Sequence, residues 1–176
     1  VSSDKPLVGI EPSAILSFRD EYPRLVDKAD QAKARGLGAY CLTIEEFLVR
    51  EIQSGRIGKE SFSKEKRQVK LHGHCHQKAL GSVDSSAFLL SLPENYNVEV
   101  IPSGCCGMAG SFGYEAEHFD VSMKVGELVL FPAVRNAAPD TLIAAPGTSC
   151  RHQIKDGTQR TALHPVEVLY DALVSG

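Results

Sequence analysis

The sequence predicts an α/β fold: a mainly parallel sheet with helices on both faces, in Rossmann-like layers. Short apolar runs of strand length alternate along the chain with longer stretches of helical periodicity. Several runs are apolar throughout, such as Leu-Ile-Ala-Ala at 142–145, which is typical of parallel strands buried on both faces. A β-α-β-α order of this kind favours an open parallel sheet covered by helices.

Six strands and five helical segments are predicted. The strands are expected at 6–11, 39–43, 68–73, 98–102, 141–145 and 161–163. A loop is expected at 54–67, where the chain is polar and poorly periodic. The first helix is capped by Thr43, with Glu46 in a capping box, and the second covers 77–92. The third begins at about Glu115 and has residues 121, 125, 128 and 129 on a single apolar face. Pro132 opens a further helical turn, and the last helix begins at His164-Pro165.

Composition limits the possible functions. The 176 residues are 43% hydrophobic and carry a formal net charge of −3. They include no long basic run, so we expect no nucleic-acid partner. No apolar run reaches 18 residues. The sequence starts at Val1 rather than at a methionine, and its first residues do not resemble a signal peptide. We therefore expect a cytoplasmic chain without a transmembrane segment, cut from a larger parent protein.

Two adjacent cysteines, Cys105 and Cys106, form the strongest local feature. Neighbouring cysteines do not readily form a normal disulfide, but both can approach one metal site if the backbone turns sharply. Gly104 and Gly107 flank the pair and are predicted to permit that turn through positive φ angles.

Four cysteines follow the ends of predicted strands: Cys75 after 68–73, Cys105 and Cys106 after 98–102, and Cys150 after 141–145. Because the carboxyl ends of parallel strands share one edge of a sheet, these four thiols are expected to converge there, each close to the start of a helix. Four thiolates match an iron–sulfur cluster or a tetrahedral zinc ion. Cys41 lies in an apolar run and is expected to be an ordinary core residue.

Four histidines lie near the same predicted edge. They are His72, His74, His76 and His164. Each could ligate a metal, donate a hydrogen bond to cluster sulfur, or pair with the backbone, and the sequence alone leaves these roles open. They are predicted to surround the thiolates without binding the metal directly.

The chain resembles the cysteine-rich "CCG" domain family, whose members include a subunit of heterodisulfide reductase and the iron–sulfur subunit of glycolate oxidase. The resemblance is greatest to the C-terminal part of bacterial FAD-linked oxidases of the D-lactate dehydrogenase type. It rests on four segments that together span nearly the whole chain. They are Gly-Ile-Glu-Pro-Ser at 9–13, His-Gly-His-Cys-His-Gln-Lys at 72–78, Cys-Cys-Gly-Met-Ala-Gly-Ser-Phe-Gly-Tyr-Glu at 105–115 and Gly-Thr-Ser-Cys-Arg-His-Gln-Ile at 147–154.

The resemblance implies that Cys75, Cys105, Cys106 and Cys150 bind a cluster of the 4Fe-4S type, for which a non-cubane form stays open. It also implies an FAD elsewhere in the parent protein, a flavin domain as partner, and a quinone or disulfide as electron acceptor. The expected function is electron transfer within a FAD-linked oxidoreductase of lactate- or glycolate-type 2-hydroxy acids, with peripheral contact to the inner membrane left open. Catalytic residues for the hydroxy acid are not expected in this chain.

The sequence departs from the family pattern at two positions. Gly147 stands where a C-x-x-C pair of some relatives has its first cysteine, and Ala14 stands where FAD-linked relatives have a cysteine that closes a first repeat. Segment 8–14 also echoes 143–150. We therefore predict that residues 1–38 are the end of a first repeat and 39–176 the second, with the bare strand edge near 6–11 inviting homodimers.

Two other functions remain open at this stage. The same thiolates could hold a structural zinc ion, or they could act as a thiol–disulfide catalyst without metal. Adjacent Cys105 and Cys106 argue against a simple redox pair.

Overall fold

A computed structural model describes residues 1–174. Its six strands are all paired in parallel and form two sheets. They are β1 Leu7–Gly9, β2 Cys41–Thr43, β3 Arg67–Leu71, β4 Tyr96–Val100, β5 Leu142–Ala144 and β6 Ala162–Leu163. Each lies within or overlaps a predicted strand, so the α/β class and the parallel pairing are confirmed.

The strands divide into a four-stranded sheet in the order β4-β3-β5-β6 and a separate two-stranded sheet of β1 and β2. In the larger sheet β3 is central: Val69 is in register with Val98 of β4 and with Leu142 of β5. The pairing of β1 with β2 joins segments on either side of the boundary proposed at residue 38, and the two-repeat division itself stays a prediction.

Ten α-helices lie within residues 1–174. They are α1 Pro12–Ile15, α2 Tyr22–Leu25, α3 Gln31–Gly38, α4 Ile44–Gln53, α5 Cys75–Leu80, α6 Asp84–Leu90, α7 Phe119–Leu128, α8 Leu130–Arg135, α9 Thr148–Thr158 and α10 Pro165–Asp171. The capping box predicted for α4 is present, and Pro132 lies in the first turn of α8.

The single helix predicted over 77–92 is two helices. Gly81 ends α5 in an extended conformation, with φ −178° and ψ −125°. The Ser82 hydroxyl then accepts the backbone N–H of Asp84, at 3.0 Å, where α6 begins. Because serine side chains compete for backbone groups at such positions, the chain stops and restarts here.

The apolar face predicted for α7 is present only in part: Val129 packs against the core cluster that contains Phe131, whereas Val121 is 49% exposed. Leu128 is 77% exposed, whereas Ser122 and Gly126 are buried. Gly126 packs flat against the ring of Phe131, since a Cβ there would lie 2.3 Å from ring carbon Cζ. The Ser122 hydroxyl accepts the side-chain N–H of Gln153 at 2.9 Å. Helix α7 therefore packs through small and polar residues that a search for apolar periodicity passes over.

The main core lies between the four-stranded sheet and α8 and α9. It includes Phe131, Ile143 and Ile154, each no more than 2% exposed, together with Cys106 and Cys150. Cys41 belongs to a different cluster, with Ile15 and Leu16 under the two-stranded sheet. Two of the four site cysteines are thus fixed by the best-packed part of the molecule. Within residues 1–174, no helix is both long and apolar enough to cross a bilayer.

Candidate metal centre

The four predicted cysteines line a single cavity of about 400 Å³ at the carboxyl end of the larger sheet. Cys75 begins α5 and is separated by three residues from the end of β3, Cys105 and Cys106 lie in the loop after β4, and Cys150 is the third residue of α9, after β5. The convergence expected from parallel strand ends is therefore present. None of the five cysteines, all of which lie within residues 1–174, forms a disulfide.

Burial increases across the four cysteines. Cys75 is exposed and Cys105 half-buried, while Cys106 and Cys150 are 3% and 1% exposed. One side of the site is thus sealed by the core and the other, at Cys75, opens to solvent.

The Cys-Cys turn is formed by one of its two flanking glycines. Gly107 has φ +108°, and a Cβ there would lie 2.1 Å from the carbonyl oxygen of Ser122. Gly104 has no positive φ and nothing within 4 Å of a Cβ, so the prediction was right for Gly107 and wrong for Gly104. The expected helix after Cys106 is also absent: residues 101–111 are irregular, and α7 begins only at Phe119.

Two contacts hold this turn. The backbone N–H of Gly107 donates to Sγ of Cys105 at 3.3 Å. From α5, the ammonium group of Lys78 donates to the carbonyl oxygens of Ser103, at 2.5 Å, and Gly104, at 3.1 Å. Lys78 therefore ties the Cys75 helix to the Cys105 loop and places a positive charge beside the thiols.

The thiols share their protons along a chain of contacts. Hydrogen bonds from Cys106 and Cys75 lower the pKa of Cys105 far below its usual range. A contact with Cys106 likewise lowers the pKa of Cys150 to about 5, against the opposing effect of burial. The hydrogen bond to Cys105 is the main cause that raises the pKa of both Cys75 and Cys106. Thiolates thus alternate with proton-bearing thiols, and a bound metal would displace the remaining protons.

His72 lies closest to the buried thiols. A ring nitrogen of His72 and the Sγ atoms of Cys106 and Cys150 all lie within 4.8 Å of one another. The ring is fully buried and its Nδ1 lies 2.7 Å from the Ser103 hydroxyl. Its Nε2 has no hydrogen-bond partner among the described residues. A buried polar atom of this kind, next to two thiols, fits a metal ligand set.

His74 also lines the cavity but is held by the backbone. It is the N-cap of α5: its Nδ1 accepts the N–H of His76 at 3.2 Å, and Gln77 completes a capping box. The His74 ring fills the space beside Gly147, where a Cβ would lie 2.3 Å from Cδ2 of His74. His76 is half-buried and lines the cavity.

His164 does not line the cavity. It caps α10 in the same way, with Nδ1 accepting the N–H of Val166 at 3.1 Å. Its Nε2 lies 3.3 Å from the Ile10 carbonyl oxygen and 3.5 Å from a carboxylate oxygen of the fully buried Glu45. Its predicted role beside the thiolates stays a prediction.

Sequence reasoning assigned no role to Glu11, which connects the N-terminal segment to the site. Its carboxylate accepts the backbone N–H of Thr148, at the start of α9, at 2.8 Å, and lies 3.9 Å from Nε2 of His74. Burial raises the pKa of Glu11, but hydrogen bonds from Thr148 and Ser13 outweigh it, so that the net shift is downward. Ala14 is the third residue of α1, as Cys150 is of α9, which is the placement predicted from the echo of the two segments.

The chain is similar to parts of several dehydrogenases. It is 29% identical over 183 residues to D-2-hydroxyglutarate dehydrogenase of Haemophilus influenzae and 29% identical over 169 residues to the enzyme of the same name from Escherichia coli. It is 25% identical over 168 residues to one subunit of the anaerobic glycerol-3-phosphate dehydrogenase of Escherichia coli. Each match covers 96% of this chain.

The matched region is a minor part of each relative. The chain spans 16% of the length of the two D-2-hydroxyglutarate dehydrogenases and 40% of the glycerol-3-phosphate dehydrogenase subunit. No family model matches the sequence, and no solved structure matches it. The relatives are oxidoreductases, and this chain corresponds to one segment of each of them. In this chain, His72, Cys106 and Cys150 form a group whose ligand atoms are close enough together to hold a metal ion.

Proposed function

We propose that this chain is the iron–sulfur electron-transfer part of a FAD-linked dehydrogenase of 2-hydroxy acids, and that Cys75, Cys105, Cys106 and Cys150 hold its cluster. The observation that carries the proposal is the meeting of four unoxidised thiols, from three strand ends, in one cavity. Thiolates are the ordinary ligands of such clusters. D-2-hydroxyglutarate, named in two relatives, is a 2-hydroxy acid, as lactate and glycolate are.

The residues of the site fit this role in three ways. The sulfurs of Cys105 and Cys150 favour the thiolate, which is the form that binds a soft metal. Lys78 supplies a positive charge that offsets part of the negative charge of four thiolates. The buried Cys106 and Cys150 fix the position of the site, while the exposed Cys75 leaves one side open to a partner.

A bound cluster would supply one-electron chemistry, accepting electrons from a flavin in the parent protein and passing them to a quinone or disulfide acceptor. The chain's own residues hold, orient and partly desolvate the site. Oxidation of the hydroxy acid by the flavin would take place in another part of the parent protein.

Anaerobic reconstitution of the full chain with ferrous iron and sulfide tests the proposal. Iron and acid-labile sulfide should both be retained after desalting, with a visible absorption band that bleaches on reduction. Serine variants of Cys106 and Cys150 should lose most of both, whereas Cys41→Ser should retain them. A wild-type chain that retains neither iron nor sulfide would show the proposal to be wrong.

A structural zinc site is the second candidate. The close grouping of His72, Cys106 and Cys150, within 4.8 Å, resembles three corners of a tetrahedral zinc site. This candidate predicts a colourless protein that takes up one equivalent of zinc, gains thermal stability from it, and binds no labile sulfide under the same anaerobic treatment.

A further inference from the structure

The four cysteines provide one fewer donor than a five-cysteine site with C-x-x-C, because Gly147 has no side chain. The structure shows that this place is taken: a Cβ at Gly147 would be 2.3 Å from Cδ2 of His74 and 3.2 Å from Sγ of Cys150. Any fifth donor to the site must therefore come from another residue. Histidines are the candidates: His74 and His76 line the cavity, and His72 lies beside Cys106 and Cys150.

The hydrogen bonds of each ring decide which nitrogen can bind a metal. A neutral imidazole has one protonated nitrogen and one lone pair, and only the lone pair ligates. In His74, Nδ1 accepts the N–H of His76, so its lone pair is used and the proton is on Nε2. In His164, Nδ1 accepts the N–H of Val166 in the same way. Both rings therefore present an N–H donor at Nε2.

His72 has the opposite arrangement. Its Nδ1 forms a hydrogen bond of 2.7 Å with the Ser103 hydroxyl. That hydroxyl in turn can donate its proton to the Ile101 carbonyl oxygen, which lies 3.5 Å away. With the hydroxyl proton directed to Ile101, Ser103 accepts from Nδ1–H of His72. The lone pair is then on Nε2, the atom without a hydrogen-bond partner among residues 1–174. A ligating histidine commonly has its second nitrogen held by such a neighbour.

From these contacts we infer that His72 binds the metal centre directly through Nε2, and that His74 donates a hydrogen bond to it. This rests on the proposed function, since it assigns a further ligand to the same site. The ring of His72 is fully buried beside Cys106 and Cys150, the two buried cysteines of the site, whereas Cys75 is exposed. Ser103 is then a positioning residue that fixes the ring and its tautomer. Replacement of thiolate by histidine raises the reduction potential of iron–sulfur centres, so His72 would also set the potential.

The test is pulsed electron paramagnetic resonance of the reconstituted full chain, prepared with ¹⁴N- or ¹⁵N-histidine. A strong nitrogen coupling that changes with the isotope is expected in the wild type and in His74→Gln, and its loss is expected in His72→Gln. His72→Cys should keep the iron and lower the reduction potential. A wild-type centre that assembles with only the weak coupling of a hydrogen-bonded nitrogen would overturn the inference and leave the proposed function intact.

Cobalt(II) binding to the metal-free chain gives a readout independent of cluster assembly. The affinity should fall by at least about 10-fold in His72→Gln and in Ser103→Ala. It should remain within about 3-fold of wild type in His118→Gln, the matched control, because His118 does not line the cavity. Circular dichroism of each variant shows whether it is folded. An unchanged cobalt affinity in a folded His72→Gln variant would contradict direct ligation. Failure of the wild type to assemble a cluster, with the cobalt result as expected, would count against the proposed function alone.

Discussion

The imidazole of His74 occupies the space that a side chain at Gly147 would need: the nearest approach of a Cβ to the ring would be 2.3 Å. The conflict is purely steric, because Gly147 has φ −77° and ψ 133°, which any residue can adopt. Gly147, at the first position of the expected C-x-x-C, and His74, next to Cys75, are therefore sterically coupled: the His74 ring can keep its position only while residue 147 has no side chain.

This coupling predicts the outcome of a double-mutant cycle. Gly147→Ala should lower the free energy of unfolding by about 1–3 kcal/mol, since it forces a buried ring out of place. His74→Ala should cost about 1 kcal/mol through loss of the α5 N-cap. The double variant should be more stable than the sum of the single effects predicts, as measured by urea unfolding. Strictly additive effects would show that His74 and Gly147 do not share this space.

The Cys-Cys turn predicts a sharp contrast between its two flanking glycines. Gly107→Ala should lower the free energy of unfolding by roughly 2–4 kcal/mol, because φ +108° is strained for alanine and the new Cβ would meet the Ser122 carbonyl. Gly104→Ala is the matched control and should change it by less than about 0.5 kcal/mol. Thermal unfolding and iron content measure both; equal losses in the two variants would contradict the asymmetry.

Cys41 predicts a variant that separates packing from metal binding. It is fully buried among Ile15 and Leu16, its sulfur contacts the Leu37 carbonyl oxygen at 3.3 Å, and it does not line the cavity. Cys41→Ala should cost about 1 kcal/mol as a small core truncation and leave the iron and sulfide content unchanged. Loss of iron from a folded Cys41→Ala chain would show that the five cysteines were sorted wrongly.

The convergence of the cysteines could be predicted because it follows from strand order alone. Cys75 and Cys150 each follow a parallel strand within a few residues, so any sheet that contains both strands brings their ends to one edge. The roles of the histidines could not be predicted in the same way, because a tautomer depends on which backbone N–H reaches the ring. One signal was present: His74 and Gln77, like His164 and Glu167, have the spacing of a capping box.

Other features depended on contacts far apart in sequence. Glu11 caps a helix that begins at Thr148, and Ser103 orients a histidine 31 residues earlier. Neither residue is unusual in its local segment. The buried face of α7 escaped prediction for a different reason, since its fully buried residues are Ser122 and Gly126, neither of which has an apolar side chain.

Glu45 predicts a pH dependence of stability. It is fully buried in α4, and burial raises its pKa from 4.5 to about 7, with the carboxylates of Glu46 and Glu11 adding to the shift. The neighbouring His164 lies 3.5 Å away, a distance that would suit an ion pair. Burial nevertheless lowers the pKa of His164 while it raises that of Glu45, so both groups favour their neutral forms. We therefore interpret the contact as one between a protonated carboxyl group and a neutral imidazole.

The sign of the effect follows from proton uptake. Between pH 4.5 and about 7 the folded chain retains a proton on Glu45 that the unfolded chain has lost, so stability falls as the pH rises through this window. Glu45→Gln removes this titration. The free energy of unfolding of the variant, measured relative to wild type by urea unfolding, should therefore be up to about 3 kcal/mol more favourable at pH 8.5 than at pH 5. If Glu45 and His164 formed an ion pair instead, Glu45→Gln would lose stability relative to wild type near pH 6, and the neutral pair would be excluded.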